Sequence, residues 1–154
     1  MNKVAKLVIA VFICELIGII GASFTIPSIP TWYAGLQKPS FSPPNWIFSP
    51  VWTALYFLMG VSLYLVWQNR VKGRRQAIKI FMIQLVLNLL WSILFFYQRS
   101  PLAAFVEIVI LWSAILATIF FFYRISKAAA YILIPYLLWV SFAAILNLSI
   151  YLLN

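Results

Sequence analysis

Apolar residues fill this chain in five long runs, separated by short segments where Lys, Arg, Pro, Gly and Ser collect. A helix that crosses a bilayer needs about 20 apolar residues at roughly 1.5 Å each, and every run meets that length. The pattern predicts helices over about 4–26, 46–68, 77–97, 101–123 and 128–153, all in one domain spanning 1–154. The first is flanked by Lys3 and Lys6, and Gly21-Ala22-Ser23 has the small-residue character of a signal-peptide cleavage site. That run is long for a signal peptide and carries Glu15, so it is read as a retained helix. The second run is free of charge, and the third is interrupted only by Lys79 near its start. Ser100 is placed to cap the fourth and Pro101 to open it, where a missing N–H costs nothing. Within the fifth, Pro135 removes one backbone hydrogen bond and clashes with the carbonyl of Tyr131, which predicts a kink.

The connection over 27–45 differs from the others. It is long, contains Pro27, Pro30, Pro39, Pro43 and Pro44, and carries Trp32, Tyr33 and Phe41. Long loops in compact domains are functional or disordered as a rule, and a disordered tether has little use for aromatic rings. The segment reads as an ordered lid over one end of the bundle.

Composition turns five helices into a membrane protein. Apolar residues make up 66% of the chain and charged ones 8%, with a mean hydropathy of +1.04. Soluble domains are roughly half apolar and a quarter charged, so the solvent around this chain is lipid. The fold class is all-α: a polytopic membrane protein, a bundle of five transmembrane helices.

Net charge is +9, from eleven Lys and Arg against Glu15 and Glu107. Lys3, Lys6, Arg70, Lys72, Arg74, Arg75, Lys79, Arg124 and Lys127 fall at one end of the bundle, nine in all; only Lys38 and Arg99 fall at the other. Cations in short loops orient a chain rather than bind nucleic acid, and the positive-inside rule puts the N-terminus in the cytoplasm and the C-terminus outside, as in a bacterial plasma membrane. The lone Cys14 excludes an intramolecular disulfide. With no His, metal sites of the His/Cys/carboxylate type, His-based acid–base chemistry and His ligation of haem drop out. No helix-scale repeat appears, and an odd helix count does not divide into two inverted halves.

Seven Trp, eight Tyr and thirteen Phe remain to be placed. Trp46, Trp67, Tyr97 and Tyr123 lie near helix ends and suit an interfacial belt. Trp52, Trp91 and Trp139 lie a turn or more inside. Asn88, Trp91 and Phe95 share one face of the third helix; Pro135, Trp139, Ala143 and Asn147 form a stripe on the fifth; Trp52 and Tyr56 pair on the second. Asn is costly to expose to lipid, so Asn88 and Asn147 belong inside, either as interhelical hydrogen bonds worth about 1 kcal/mol or as polar anchors of an aromatic-walled pocket. Glu15 sits mid-span, where an ionised carboxylate costs about 3 kcal/mol, so it is protonated, paired or turned to a cavity. Glu107 lies nearer a helix end and reads as structural, as do Gly18 and Ala22, a small-xxx-small pair suited to close packing.

The residues from Trp32 to Pro44 (Trp-Tyr-Ala-Gly-Leu-Gln-Lys-Pro-Ser-Phe-Ser-Pro-Pro) resemble the first loop of the tryptophan-rich sensory proteins. These TspO/MBR proteins are the bacterial relatives of the mitochondrial translocator protein, or peripheral benzodiazepine receptor. Pro50-Val51-Trp52-Thr53-Ala54-Leu55-Tyr56, Asn88-Leu89-Leu90-Trp91 and Pro135-Tyr136-Leu137-Leu138-Trp139 extend the likeness along the chain. It implies a five-helix bundle, often a homodimer, that binds porphyrins and isoquinoline carboxamides beneath the first loop. Carried over, the lining is Tyr33, Pro44, Trp52, Tyr56, Asn88, Trp91, Trp139, Ala143 and Asn147. Some bacterial members promote light- and oxygen-dependent breakdown of protoporphyrin, which marks Trp52 and Trp139 as candidate catalytic residues; any enzymatic activity would be slow photo-oxidation of this kind. The sequence after Tyr151 lacks the basic residue of the sterol-recognition pattern found in animal members.

The expected ligand is a metal-free porphyrin whose propionates meet Lys38, with no tightly bound cofactor, no metal and no nucleic-acid partner. Two other readings compete. A small proton-coupled transporter would use Glu15 but has no need of a fifth helix or an aromatic lid. A non-catalytic scaffold for a membrane complex would leave the lid unexplained.

Overall fold

A computed structural model describes residues 1–154 and contains helices and turns only. Helix α1 covers Lys3–Thr25, with the Asn2 side chain accepting from the Ala5 N–H at 2.7 Å as its cap. A short 3₁₀ turn at Tyr33–Gly35 lies within the lid, and a second at Asn45–Ile47 ends it and leads into α2, Phe48–Trp67. Gly73, with φ of 90°, turns the chain into α3, Arg74–Ser92. Arg74 Nη1 donates to the carbonyls of Trp67 and Asn69, each at 3.2 Å, which closes this basic loop on itself. The fourth element is α4, Pro101–Tyr123, capped by Ser100, whose hydroxyl accepts from the Ala103 N–H. The fifth span is two pieces, α5 over Lys127–Ile132 and α6 over Ile134–Leu153.

Each span is long and apolar enough to cross a membrane, with mean hydropathy from 1.5 to 2.5. Burial is distributed as lipid requires. Phe12, Ile19 and Leu138 are each more than 60% exposed, while Ser62, Gln84, Asn88, Glu107, Thr118 and Asn147 are buried. Apolar side chains outside and polar ones inside are what a hydrocarbon solvent selects.

Two departures from regular helix follow from local sequence. The break in the fifth span falls at Leu133, two residues before Pro135. Pro135 has no N–H, so the ladder resumes only with the Leu137 N–H donating to the Leu133 carbonyl at 3.0 Å. After α3 the helix widens into a π-type turn over Ile93–Tyr97, closed by the Gln98 N–H on the Ile93 carbonyl at 2.8 Å. Arg99, at φ of 54°, then takes the left-handed conformation that reverses the chain into α4.

The spans form a ring in the order α1, α2, the α5–α6 pair, α4 and α3, with α3 returning to α1. Close contacts depend on small residues. A Cβ on Gly60 would lie 2.5 Å from Val11 Cα, so α1 and α2 approach backbone to backbone. Ser62 Oγ donates to the Ala129 carbonyl at 2.7 Å, joining α2 to α5 where Ala129 and Ala130 are buried. Phe81 and Phe122 stack at 5.6 Å between α3 and α4.

Because Val11 Cα cannot yield as a side chain can, Gly60→Ala should cost about 1–3 kcal/mol, read as a lower midpoint of unfolding in detergent. Gly35→Ala, with nothing within 4 Å of its added methyl, serves as the neutral control.

Candidate ligand site beneath the lid

The lid is fastened to the bundle at three points. Ser28 Oγ donates to the Phe96 carbonyl at 3.1 Å. Asn154 accepts from the Gln37 N–H at 3.0 Å and donates back to the Gln37 carbonyl at 2.9 Å, so the loop is clasped to the end of α6. Between them Tyr33 is buried against Phe48, Phe95 and Phe96. Burial raises its phenol above the usual pKa, and the Ser42 hydroxyl opposes that rise. The two hydroxyls face each other without closing a hydrogen bond of good geometry. Lys38 does not reach outward for an anion. Its Nζ lies 4.7 Å over the Tyr33 ring and donates to the Leu36 carbonyl at 3.1 Å.

Beneath the lid are two cavities. The larger, about 280 Å³, opens between α1, α2 and α3. Its inner end carries Glu15, Tyr56 and Asn88, and its lid end Asn45, Phe48 and Phe96. The smaller, about 30 Å³, lies toward α6 among Tyr33, Trp139, Ala143 and Asn147. Phe48, Trp52, Trp91 and Phe96 line both, so four aromatic side chains form the partition between them. Gly18 gives the larger cavity its wall: a Cβ there would meet Tyr56 Cδ2 at 2.6 Å, so only Gly lets the phenol ring lie flat on α1.

A chain of buried hydrogen bonds runs inward from the cavity. Tyr56 Oη donates to Asn88 Oδ1 at 2.7 Å, and Asn88 Nδ2 donates to Tyr136 Oη at 2.6 Å. Tyr136 donates in turn to Gln84 Oε1 at 2.8 Å. Tyr56 Oη gives its proton to Asn88 and accepts from no protein donor, so a side chain that lines the cavity keeps its oxygen lone pairs free. A second set ties helix ends together. Trp91 Nε1 donates to Asn147 Oδ1 at 3.1 Å, and Asn147 Nδ2 donates to the Pro101 carbonyl at 2.8 Å. Both amides therefore act between helices while also lining a cavity, and Trp91 offers a ligand its ring but not its N–H.

Of the residues expected from sequence, Trp52, Tyr56, Asn88 and Trp91 line the larger cavity and Tyr33, Trp139, Ala143 and Asn147 the smaller. Pro44 precedes the turn into α2 and lines neither, nor does Lys38. Phe48, Phe96, Ser49 and Ser92 are additions that spacing within single helices did not single out. Gln84 and Tyr136 were also missed, although Gln84 stands one turn before Asn88 and shares its face. Glu107, expected near a helix end, is 5% exposed and neither carboxyl oxygen has a protein partner.

Residues 10–153 match the model of the TspO/MBR family. This chain belongs to the TspO/MBR family. It is 48% identical over 152 residues to the tryptophan-rich protein TspO of Archaeoglobus fulgidus, covering 99% of both chains. It is 38% identical over 135 residues to the human translocator protein, covering 86% of this chain and 80% of that one. To the tryptophan-rich sensory protein of Cereibacter sphaeroides it is 35% identical over 123 residues, 80% of this chain and 77% of the relative. The chain is thus an integral, multi-pass membrane protein similar to proteins named for sensing and translocation. The lid and the three deep indoles are what the cavities here are built from.

Tyr136→Phe would strip the central hydroxyl from the chain and leave Asn88 Nδ2 and Gln84 Oε1 facing a ring. Buried groups orphaned in this way cost about 1–3 kcal/mol. The expected result is a lower unfolding midpoint with unchanged helix content by circular dichroism. Ser149→Ala, whose hydroxyl only bonds its own helix, should leave the midpoint in place.

Proposed function

We propose that the chain binds flat aromatic ligands of the tetrapyrrole class, protoporphyrin first among them, in a sensing or handling role within the membrane. The observation that carries this reading is the partition. Phe48, Trp52, Trp91 and Phe96 present ring faces and edges to two adjoining spaces under one lid, and planar π-systems stack on such surfaces. A small neutral amide, such as an isoquinoline carboxamide, suits the larger cavity, whose volume is near the lower end of ligand pockets at roughly 300 Å³. A macrocycle needs more room. Its binding calls for the partition rings to swing aside and join the two cavities, which brings Trp139 and Ala143 to the ligand.

Light-dependent breakdown of protoporphyrin fits the same arrangement. The bound macrocycle absorbs the light, dioxygen is the oxidant, and an indole beside the ring donates or relays an electron. Trp52 lines both cavities and Trp139 the smaller one, so each would border a ligand in the joined space. Propionates would lie toward the lid, away from Glu15, although Lys38 must leave the Tyr33 ring to meet them.

Three variants test the reading by protoporphyrin absorbance and Trp fluorescence, in darkness and under illumination. Ala143→Phe fills the smaller cavity and should weaken protoporphyrin about tenfold while sparing the small amide. The Trp52→Phe, Trp139→Phe double variant keeps rings for stacking and should hold affinity within about threefold, yet lose the light-driven bleaching. Unchanged affinity in Ala143→Phe would move the ligand elsewhere, and undiminished bleaching in the double variant would remove the indoles from the chemistry.

The same reading assigns the membrane sides. With nine cations at one end against two at the other, the lid faces the outside of a bacterial plasma membrane. A single Cys introduced at Ser40, in a Cys14→Ser background, should react with an impermeant thiol reagent in intact cells. One introduced at Val71 should stay protected until the cells are opened; reversed labelling reverses the orientation.

A further inference from the structure

The larger cavity is electrically one-sided. Among its 18 lining residues there is no Lys or Arg, and Glu15 is the one carboxyl. Glu15 is half-buried at the inner end, with neither a hydrogen-bonding nor a cationic partner in the protein. Beside it the Tyr56 oxygen keeps its lone pairs free, because its own proton is given to Asn88 Oδ1. The remaining polar groups, on Thr25, Asn45, Ser49, Trp52, Thr53, Asn88 and Ser92, are neutral. The inner end therefore joins one carboxyl to a phenol oxygen with free lone pairs and holds no cation, and the indoles of Trp52 and Trp91 stand on the way to it.

We infer that this cavity selects flat apolar ligands with a cationic head, held by the Glu15 carboxylate and the Tyr56 oxygen. Two independent forces act on such a head. The carboxylate attracts it through a medium of low dielectric, where a charge pair counts for more than in water. The indole faces attract it through their quadrupoles, the same physics that builds aromatic cages for quaternary ammonium groups. An anionic head at this end meets the opposite: a carboxylate and oxygen lone pairs, with no cation to compensate. The inference rests on the reading of the cavity as the ligand site and adds a class of ligand to it.

The test uses two dyes with one shape. Acridine and N-methylacridinium share a flat three-ring body, and at mildly alkaline pH only the second is charged. Both are titrated into the full chain in nanodiscs of zwitterionic phosphatidylcholine, with fluorescence as the readout and protoporphyrin titrated in parallel. The unaltered chain should bind N-methylacridinium about tenfold tighter than acridine, the scale of one partly screened charge pair. Glu15→Gln should abolish that preference while leaving acridine and protoporphyrin within about twofold, which also certifies that the variant is folded. Glu15→Asp, with its carboxyl drawn back by one methylene, should keep part of the preference. Equal affinity for the two dyes in the unaltered chain, or a preference that survives Glu15→Gln, overturns the inference. Protoporphyrin binding without cation preference withdraws the role of Glu15 alone; failure of all three ligands to bind withdraws the cavity as the ligand site.

Discussion

Hydrocarbon offers a polar atom no partner, so a donor or acceptor on the spans is costly unless another part of the bundle satisfies it. The chain from Tyr56 through Asn88 and Tyr136 to Gln84 answers that demand across three spans at once. Tyr136 is its centre, almost wholly buried, and its hydroxyl both accepts and donates. The Trp91–Asn147–Pro101 set does the same nearer the lid. These bonds fix how α2, α3 and α6 face one another. The cavities are what remains between side chains held in those positions, so the polar interior that the membrane requires also shapes the ligand space.

Close packing sets the other boundary. Gly60 brings α1 onto α2, and Gly18 lets the Tyr56 ring rest on α1 instead of projecting into the larger cavity. The small-residue pair at Gly18 and Ala22 thus serves contacts within one chain: Gly18 against Tyr56, and Ala22 along the cavity wall. The lid completes the enclosure through contacts that span the sequence, from Ser28 to Phe96 and from Gln37 to Asn154.

Much of this was legible in the residues. Five apolar runs gave five spans, because length and hydropathy are all that a bilayer asks of a helix. Pro135 broke the fifth span and Ser100-Pro101 opened the fourth, since both act on backbone hydrogen bonds within a few residues. Asn88 and Asn147 were read as interior from the cost of exposing an amide to lipid. What escaped depends on distance between elements. Nothing local says that Lys38 folds back over Tyr33, that Glu107 is buried deep in the bundle, or that four rings from three segments divide one space into two. Periodicity places a residue on a face; which neighbour that face meets is decided by the packing of the whole ring of helices.

The π-type turn at Ile93–Tyr97 carries a consequence for how such a protein can vary. It accommodates one residue more than α-helical register would allow, and a residue turns a helix by about 100°. Phe95, four residues on from Trp91, stacks on it at 5.3 Å as α-helical spacing already allows; Phe96, the next residue, owes its edge-on contact with the same indole at 5.9 Å to that surplus. A deletion of one residue here would heal the helix, preserve hydropathy and composition, and swing part of the aromatic partition toward lipid. The count of residues between Asn88 and Arg99 therefore carries structural information of its own, because an insertion or deletion within that interval would re-aim the rings that border the ligand space.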